Sequence, residues 1–426
     1  MLTKLFRQSA VPVEYRSNFL HLYLDIGWFG VLSGSAINFL NIYATRIGAT
    51  GFQIGLIGAM SAIVTLFLAI PAGHWLQTQQ TGKAIFWTSI FYRLGFLSFV
   101  FLPRLLDAQG QILAIIVVTF LMAIPLTPMG VGFNALFAEA VPGEYRAHVA
   151  GIRNITLSLA FMVTSLISGY ILDRVAFPVG YQIVFGIGFL GAAMSSLHLF
   201  FVRPLKNEPS PLDGDGATRH VDTAQDKPQP DTIKRSNSPL STLRLDIWRT
   251  PFRNVLFGLF TYHLAQYLAL PVFPLYNVYV LKLNDYHIGV GTALFYLTVL
   301  FGSTQLSRIV QRLGHKKVTG LGVAGMALYP FLLALSYQVW QYYAISLVGG
   351  YVWAMAGGAF ANYMLEHIPP DDRPSHLAWY MIILNTAVLI GSLGGPIIAD
   401  QMGLSGALML FALLRFLSGL AILKWG

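Results

Sequence analysis

The chain has 426 residues, 55% of them hydrophobic and only 11% charged, whereas a soluble domain carries about 25% charged residues. That excludes a soluble protein and implies an integral membrane protein. The net charge of +9 reads as a topology signal without a nucleic-acid partner, and the lack of cysteine excludes disulfides, thiolate metal sites and a thiol nucleophile.

A spanning helix needs about 20 apolar residues. The opening segment, MLTKLFRQSAVPVEYR, reads as uncleaved, and the run after it is long enough to remain as a helix. Twelve runs predict spans at 18–43, 52–76, 84–106, 111–138, 149–172, 179–203, 252–280, 286–308, 317–337, 340–365, 376–400 and 404–424. They are continuous rather than alternating, which excludes a β-barrel. With a cytoplasmic N-terminus, 21 Lys and Arg fall in inside segments and four in outside ones. The positive-inside rule then places both termini in the cytoplasm. The expected location is the plasma (cytoplasmic) membrane, as a multi-pass monomer in the lipid bilayer.

Span one carries Asp25 and span three carries Arg93. Both sit a similar distance from the cytoplasmic end, at about 1.5 Å of rise per residue. A lone charge at mid-bilayer costs at least about 2.5–3.5 kcal/mol, so a buried ion pair is expected, with a proton-coupling Asp25 as the alternative. After span four comes Phe137-Ala-Glu-Ala-Val-Pro-Gly-Glu-Tyr-Arg146. After span ten the same outline returns as Met364-Leu-Glu-His-Ile-Pro-Pro-Asp-Asp-Arg373. Pro142 and Glu144 suit a helix start. Glu139 and Glu366 sit near helix C-termini, where an anion needs a cation. Lys83, Arg146 or Arg153 are candidates for Glu139, and Arg312, Lys316 or Arg373 for Glu366.

Residues 204–250 are polar and rich in Pro, Asp and Ser, which predicts a disordered cytoplasmic linker. LSTLRLDIW at its end suits a short interfacial helix. The domains are therefore 1–203, a six-helix half; 204–250, the linker; and 251–426, the second six-helix half. In span seven, His263, Gln266, Tyr267, Pro274 and Asn277 recur at helical spacing as one polar stripe, and Pro271 and Pro274 predict a kink or break. Broken spans near a repeat interface often mark transporter sites. Tyr342, Tyr343 and Trp340 read as an interfacial belt. Arg415, in span twelve, has no evident partner.

The halves are related. Asn41-Ile-Tyr-Ala-Thr-Arg46 returns as Asn277-Val-Tyr-Val-Leu-Lys282, and Phe52-Gln-Ile-Gly55 as Tyr286-His-Ile-Gly289. With the loop motif, these are three matches in register, which argue for duplication. Shifting the span-seven stripe back by 236 gives Gly27, Gly30, Val31, Asn38 and Asn41. Asp25 lies about 200° around the helix from Gly27 and should point into its own half.

The chain resembles the major facilitator superfamily. The family's loop signature, roughly Gly-x-x-x-Asp-Arg-x-Gly-Arg-Arg/Lys, is echoed by Ser307-Arg-Ile-Val-Gln-Arg312-Leu-Gly314-His-Lys-Lys317. A poorer copy runs from Gly73 to Lys83. Both copies lack the family's Asp. The fourth-span arginine of many proton-coupled members and the Gly-Pro-x-x-Gly-Gly run of drug/proton antiporters are also missing. The resemblance implies an all-α membrane fold of twelve helices in two pseudo-symmetric halves. It further implies a central cavity lined by spans one, four, seven and ten. Here that supplies Asn38, Asn41, Asn134, Tyr262, His263, Gln266, Tyr267, Tyr351, Trp353 and Asn362, with Trp379 and Asn385 of span eleven beside them.

That lining is rich in aromatic and amide groups, with little fixed charge. It implies a secondary transporter of a small neutral or amphiphilic organic solute, working by alternating access, with protons as the candidate coupling ion. The loop residues Lys83, Glu139, Arg146, Arg153, Arg312, Lys316, Glu366 and Arg373 would form a cytoplasmic gate. A lipid or lysolipid flippase and a transporter-like sensor signalling through the linker are the alternatives. No catalytic, cofactor or metal motif appears, so no enzyme activity is expected.

Overall fold

The computed structural model describes residues 12–205, 244–369 and 372–426. Most of the predicted linker therefore lies outside the described residues. Ten described helices are long and apolar enough to cross a membrane. The first pass, Val13–Leu32 and Asn38–Arg46 joined by a π-turn at Ser33–Ile37, is an eleventh. The long last helix, Arg373–Trp425, is divided by Gly403 at φ 75°, which makes twelve. Only glycine adopts that backbone without strain.

In the first half, spans two to six are Gly51–Gln77, Thr81–Leu105, Ala108–Ala140, Gly143–Arg174 and Val179–Phe201. In the second half, spans seven to ten are Phe252–Val280, Asp285–Leu313, His315–Ala334 and Val339–Glu366. Spans eleven and twelve are 373–402 and 404–425. Within each half the loops between spans are short, and some helix starts carry side-chain caps. Thr50 and Gln53 form a reciprocal box before span two, and Asn284 Oδ1 accepts from His287 N before span eight. The interfacial helix expected from LSTLRLDIW is a single 3₁₀ turn, Leu245–Arg249, entered through a left-handed Arg244.

Span seven breaks where its prolines predict. It stops at Ala269, resumes at Val272 and ends in a π-turn at Tyr276–Val280. The repeat offset of 236 carries the π-turn Ser33–Ile37 onto 269–273, so both copies are irregular at the same place.

Span five packs on span eight, and span two on span eleven. Without a hydrophobic force between helices in lipid, small residues set how closely backbones approach. A Cβ built on Gly55 would lie 2.0 Å from Ser392 O, and one on Gly289 2.6 Å from Ser165 O. These two glycines are the repeat-related pair. Ser165 Oγ also donates to Gly289 O at 3.1 Å.

Most hydrogen bonds and ion pairs joining the halves gather at one end, opposite the linker. Arg46 pairs with Asp285 at 3.0 Å and donates to Leu283 O at 2.5 Å. Tyr181 Oη donates to Asp285 Oδ2 at 2.8 Å, Tyr279 Oη to Thr45 O at 2.9 Å, and Asn284 Nδ2 to Asp173 Oδ1 at 2.8 Å. Span four packs on spans two and three, and span ten on spans eight and nine. Among the described residues, no hydrogen bond or ion pair joins the halves at the linker face.

Alanine at Gly55 or Gly289 is expected to destabilise the purified protein by about 1–3 kcal/mol through overpacking. Gly151, whose Cβ would meet nothing within 4 Å, is the control. There alanine should be neutral or add up to about 1 kcal/mol of helix propensity. Thermal unfolding in detergent reads the opposite signs.

Candidate functional site

A cavity of about 320 Å³ lies against the interface, mostly within the second half. Span one contributes Asn38, whose Nδ2 donates to Ser165 Oγ at 3.4 Å. Span seven contributes Gln266, Leu270 and Phe273, and span eight Thr292, Phe295 and Tyr296. Tyr296 stacks across the interface on Phe161, with ring centroids 4.0 Å apart. Tyr329 of span nine and Tyr342, Ser346 and Trp353 of span ten complete the aromatic wall. Tyr342 is 3% exposed, so it belongs to the cavity wall and not to an interfacial belt. It fits because Gly291 opposite leaves room, as a Cβ there would lie 2.1 Å from the ring. Trp340 is exposed, as an interfacial residue should be.

The remaining wall is Arg415, only 2% exposed. Its Nε donates to Ala265 O at 3.3 Å, Nη1 to Met326 O at 3.3 Å and Nη2 to Gln266 O at 3.1 Å. Span seven breaks after Ala269, and span nine after Gly325. Gln266 lies in the last turn before the first break, and Met326 O stands four residues before Pro330, which has no N–H to offer it. Arg415 donates to both and to Ala265 O, with its guanidinium 5.8 Å from the Phe273 ring centroid. The sequence marked Arg415 as a charge inside a span but gave it no role.

The expected polar stripe of span seven is divided. Gln266 lines the cavity, and its Oε1 has no hydrogen-bond partner. His263 turns instead to Tyr380 Oη of span eleven, at 3.2 Å. Tyr262 is buried in the second half with its hydroxyl 3.7 Å from Met326 Sδ, and Tyr267 packs toward Gly391. The reason is packing: span seven lies against the long Arg373–Trp425 helix, so several of its faces are covered. On span one, Gly27 and Gly30 pack on Thr156 and Ala160 of span five rather than facing the cavity. Asn41 has a buried, unpartnered Oδ1. Asn134 is exposed on span four, and Asn385 donates to Met381 O of its own helix at 2.8 Å. Trp353 is both exposed and part of the wall.

Asp25 and Arg93 are brought together inside the first half, both 3% exposed, with Arg93 Nη2 3.8 Å from Asp25 Oδ1. A second arginine joins them. Arg153 Nη1 lies 3.2 Å from Asp25 Oδ2 and donates to Leu22 O at 2.6 Å, with its guanidinium 4.8 Å from the Phe133 ring centroid. Ser195 Oγ donates to Asp25 Oδ1 at 2.5 Å, and Arg93 Nη1 donates to Ser196 Oγ at 2.8 Å. Arg153 is thus buried with Asp25 and does not answer Glu139 at the loop.

The other loop pairings also differ. Glu139 accepts from Thr81 Oγ1 at 3.2 Å. Arg146 donates to Val141 O at 3.0 Å and Ala138 O at 2.7 Å, so it caps the end of span four directly. Glu366 lies 3.8 Å from His315 Nε2, in place of Arg312, Lys316 or Arg373. Lys83, Arg312 and Arg373 are exposed. Among the described residues, no hydrogen bond or ion pair joins these loop charges across the two halves.

Arg244 joins the end of the linker to span eleven, with Nη2 2.7 Å from Asp372 Oδ2 and 2.9 Å from Asp246 Oδ2. Those hydrogen bonds raise the Arg244 pKa. Burial alone would raise the Asp372 carboxyl, but hydrogen bonds from Ser375 and Arg244 outweigh it and hold the carboxyl below its ordinary value. The Arg244 hydrogen bond lowers Asp246 likewise.

The family model described as Major Facilitator Superfamily matches residues 26–289 and 255–426. The chain belongs to that superfamily. It is 25% identical over 177 residues to the Staphyloferrin B transporter of Staphylococcus aureus, covering 40% of this chain and 42% of that protein. It is 21% identical over 290 residues to the Cis,cis-muconate transport protein of Acinetobacter baylyi, covering 67% of this chain and 64% of that protein. The match thus spans less than two thirds of either relative. Among solved structures it resembles a D-xylose-proton symporter, with a TM-score of 0.70 and 14% identity over 96% of this chain and 97% of that one. It also resembles the nucleoside transporter NupG, with a TM-score of 0.64 and 13% identity over 96% and 99%. At such identities these structures speak for the fold alone.

Asp25→Asn leaves two buried arginines without their anion. The expected loss is about 3–5 kcal/mol, read as a lower unfolding midpoint in detergent at neutral pH. At the linker end, depressed carboxyl values mean that the Arg244 contacts stabilise above the ordinary Asp value of about 3.9 and are lost as pH falls through the lower folded values. Amide exchange at 244–249, corrected for intrinsic rate, should accelerate over that window. Asp372→Asn should show faster exchange already at neutral pH.

Proposed function

We propose that this member of the superfamily is a secondary transporter of a small organic solute, working by alternating access in the plasma membrane with its linker face in the cytoplasm. The carrying observation is a cavity against an interface whose described cross-half hydrogen bonds and ion pair gather at the far face. The count of 21 basic residues against four supports the orientation. Two halves, 1–203 and 251–426, would rock about the cavity, with 204–250 as the connection. The proteins it resembles have names that speak of xylose, nucleosides, muconate and staphyloferrin B, all small organic solutes.

As the linker face closes, Lys83, Glu139 and Arg146 of one half approach Arg312, Lys316, Glu366 and Arg373 of the other, and these would form its latch. Asp25 would hold its own half together: Arg93, Arg153 and Ser195 surround it inside the first half, and it does not line the cavity.

The chain has no native cysteine, so Asp173→Cys with Asn284→Cys places a unique pair across the far-face latch. In proteoliposomes offered tritiated xylose, uridine or muconate, at least one solute should exchange. Cross-linking the pair should stop that flux, and reduction should restore it. Flux that persists through a complete cross-link would exclude alternating access.

A further inference from the structure

We infer that the cavity binds an organic acid through a single carboxylate held by Arg415, with an apolar or aromatic body against the tyrosine and tryptophan wall. This rests on the transport reading above and gives it a substrate class.

The argument begins with the charge. The first half answers its buried guanidinium groups with a carboxylate, Asp25, at 3.2 and 3.8 Å. In the second half, the groups that receive Arg415 are three backbone carbonyls. Carbonyls satisfy N–H donors and orient the group, but they carry no net charge. Among the described residues lining the cavity, none is Asp or Glu. A buried cation without an anion is costly in hydrocarbon. Here the missing anion has a place to sit, because Arg415 forms part of the wall of an accessible cavity. The guanidinium has more N–H donors than the three carbonyls take up, and Arg–carboxylate contacts are among the stronger hydrogen bonds. Being pinned on three sides, Arg415 loses little freedom when a ligand arrives.

The remaining wall sets the rest of the ligand. Arg415 is the one cation among the described lining residues, which favours a monoanion over a phosphate ester or a polycarboxylate. Phe273, Phe295, Tyr296 and Trp353 offer apolar surface. Gln266 Oε1 is buried and unpartnered beside Arg415, and it would accept from a ligand hydroxyl or N–H. The ligand is then a compact acid with an apolar or aromatic body and one hydrogen-bond donor.

The test uses the full-length purified protein and pairs of equal shape: benzoate with benzamide, phenylacetate with phenylacetamide, and 4-hydroxyphenylacetate with its amide. Near-saturating acid should raise the melting midpoint by a few degrees and change tryptophan fluorescence, while the amides do neither. The 4-hydroxy acid should outperform phenylacetate, and Gln266→Leu should erase that advantage while keeping the response to phenylacetate. Arg415→Gln should lose every acid response. Should that variant not fold, the acid–amide contrast on the unaltered protein decides alone. Amides that match their acids, or a panel in which no acid acts, overturn the inference. Either failure leaves cross-link-sensitive flux standing, so the transport reading is judged separately. Acid binding without such flux would fault the transport reading and leave the carboxylate site intact.

Discussion

A guanidinium in a membrane interior must be answered, and the rest of this structure depends on how each half does it. In the first half, Asp25, Ser195 and Ser196 close a network around Arg93 and Arg153 and tie spans one, three, five and six together. In the second half, Arg415 of span twelve donates to three carbonyls beside the breaks in spans seven and nine. The first solution neutralises charge inside a packed bundle. The second satisfies hydrogen bonds and leaves the charge beside a cavity. Side-chain bonds to backbone beside a break help an irregular helix persist in a membrane.

Duplication explains why the halves fit one another. Gly55 and Gly289 occupy matching places in spans two and eight, and each lets its helix approach the partner half, at span eleven and span five. The irregular segments 33–37 and 269–273 also correspond. The polar content does not. Arg415 has no counterpart paired with an acid, and the cavity draws nearly all its described wall from the second half. A shared scaffold thus carries one half built for internal stability and one that shapes the site.

The span count, the six-plus-six division and the break at Pro271 were legible in the sequence, because bilayer thickness and proline chemistry act locally. The meeting of Asp25 with Arg93 could be argued from depth and helix angle, both local quantities. Arg153 escaped that reading because a long side chain near the end of a span reaches inward, beyond what its position along the helix indicates. Tyr342 was misjudged for a related reason. Its place in the sequence suits an interface, but its environment depends on Gly291, a residue of another span. Within the span-seven stripe, Gln266 and His263 part company because neighbouring helices cover some faces and leave others, which helical spacing alone does not specify. Arg415 was visible as a charge and opaque as a site. Its partners are main-chain carbonyls, and carbonyls leave no trace in a residue pattern.

The strengths of these contacts sort what can move from what cannot. Arg46–Asp285 is partly exposed, and such pairs contribute about 0–1 kcal/mol. The neighbouring Tyr279 hydrogen bond to a carbonyl adds about 0.5–1.5 kcal/mol when netted against water, and those of Tyr181 and Asn284 to carboxylates at most about 1.5–3 kcal/mol each. A latch of that kind opens readily if the opposite face gains comparable contacts, which is the role proposed above for the loop charges. The Asp25 network is different. Removing one member leaves buried charge at about 3–5 kcal/mol, so it holds its half as one body through any such motion. Arg415 falls between these cases. Its position is fixed by three carbonyls, while the charge it presents to the cavity changes with occupancy. A ligand that supplies the anion would therefore favour whichever arrangement encloses it most completely, since a charge pair strengthens as water leaves. On that proposal, binding and closure would be linked through one fixed cation.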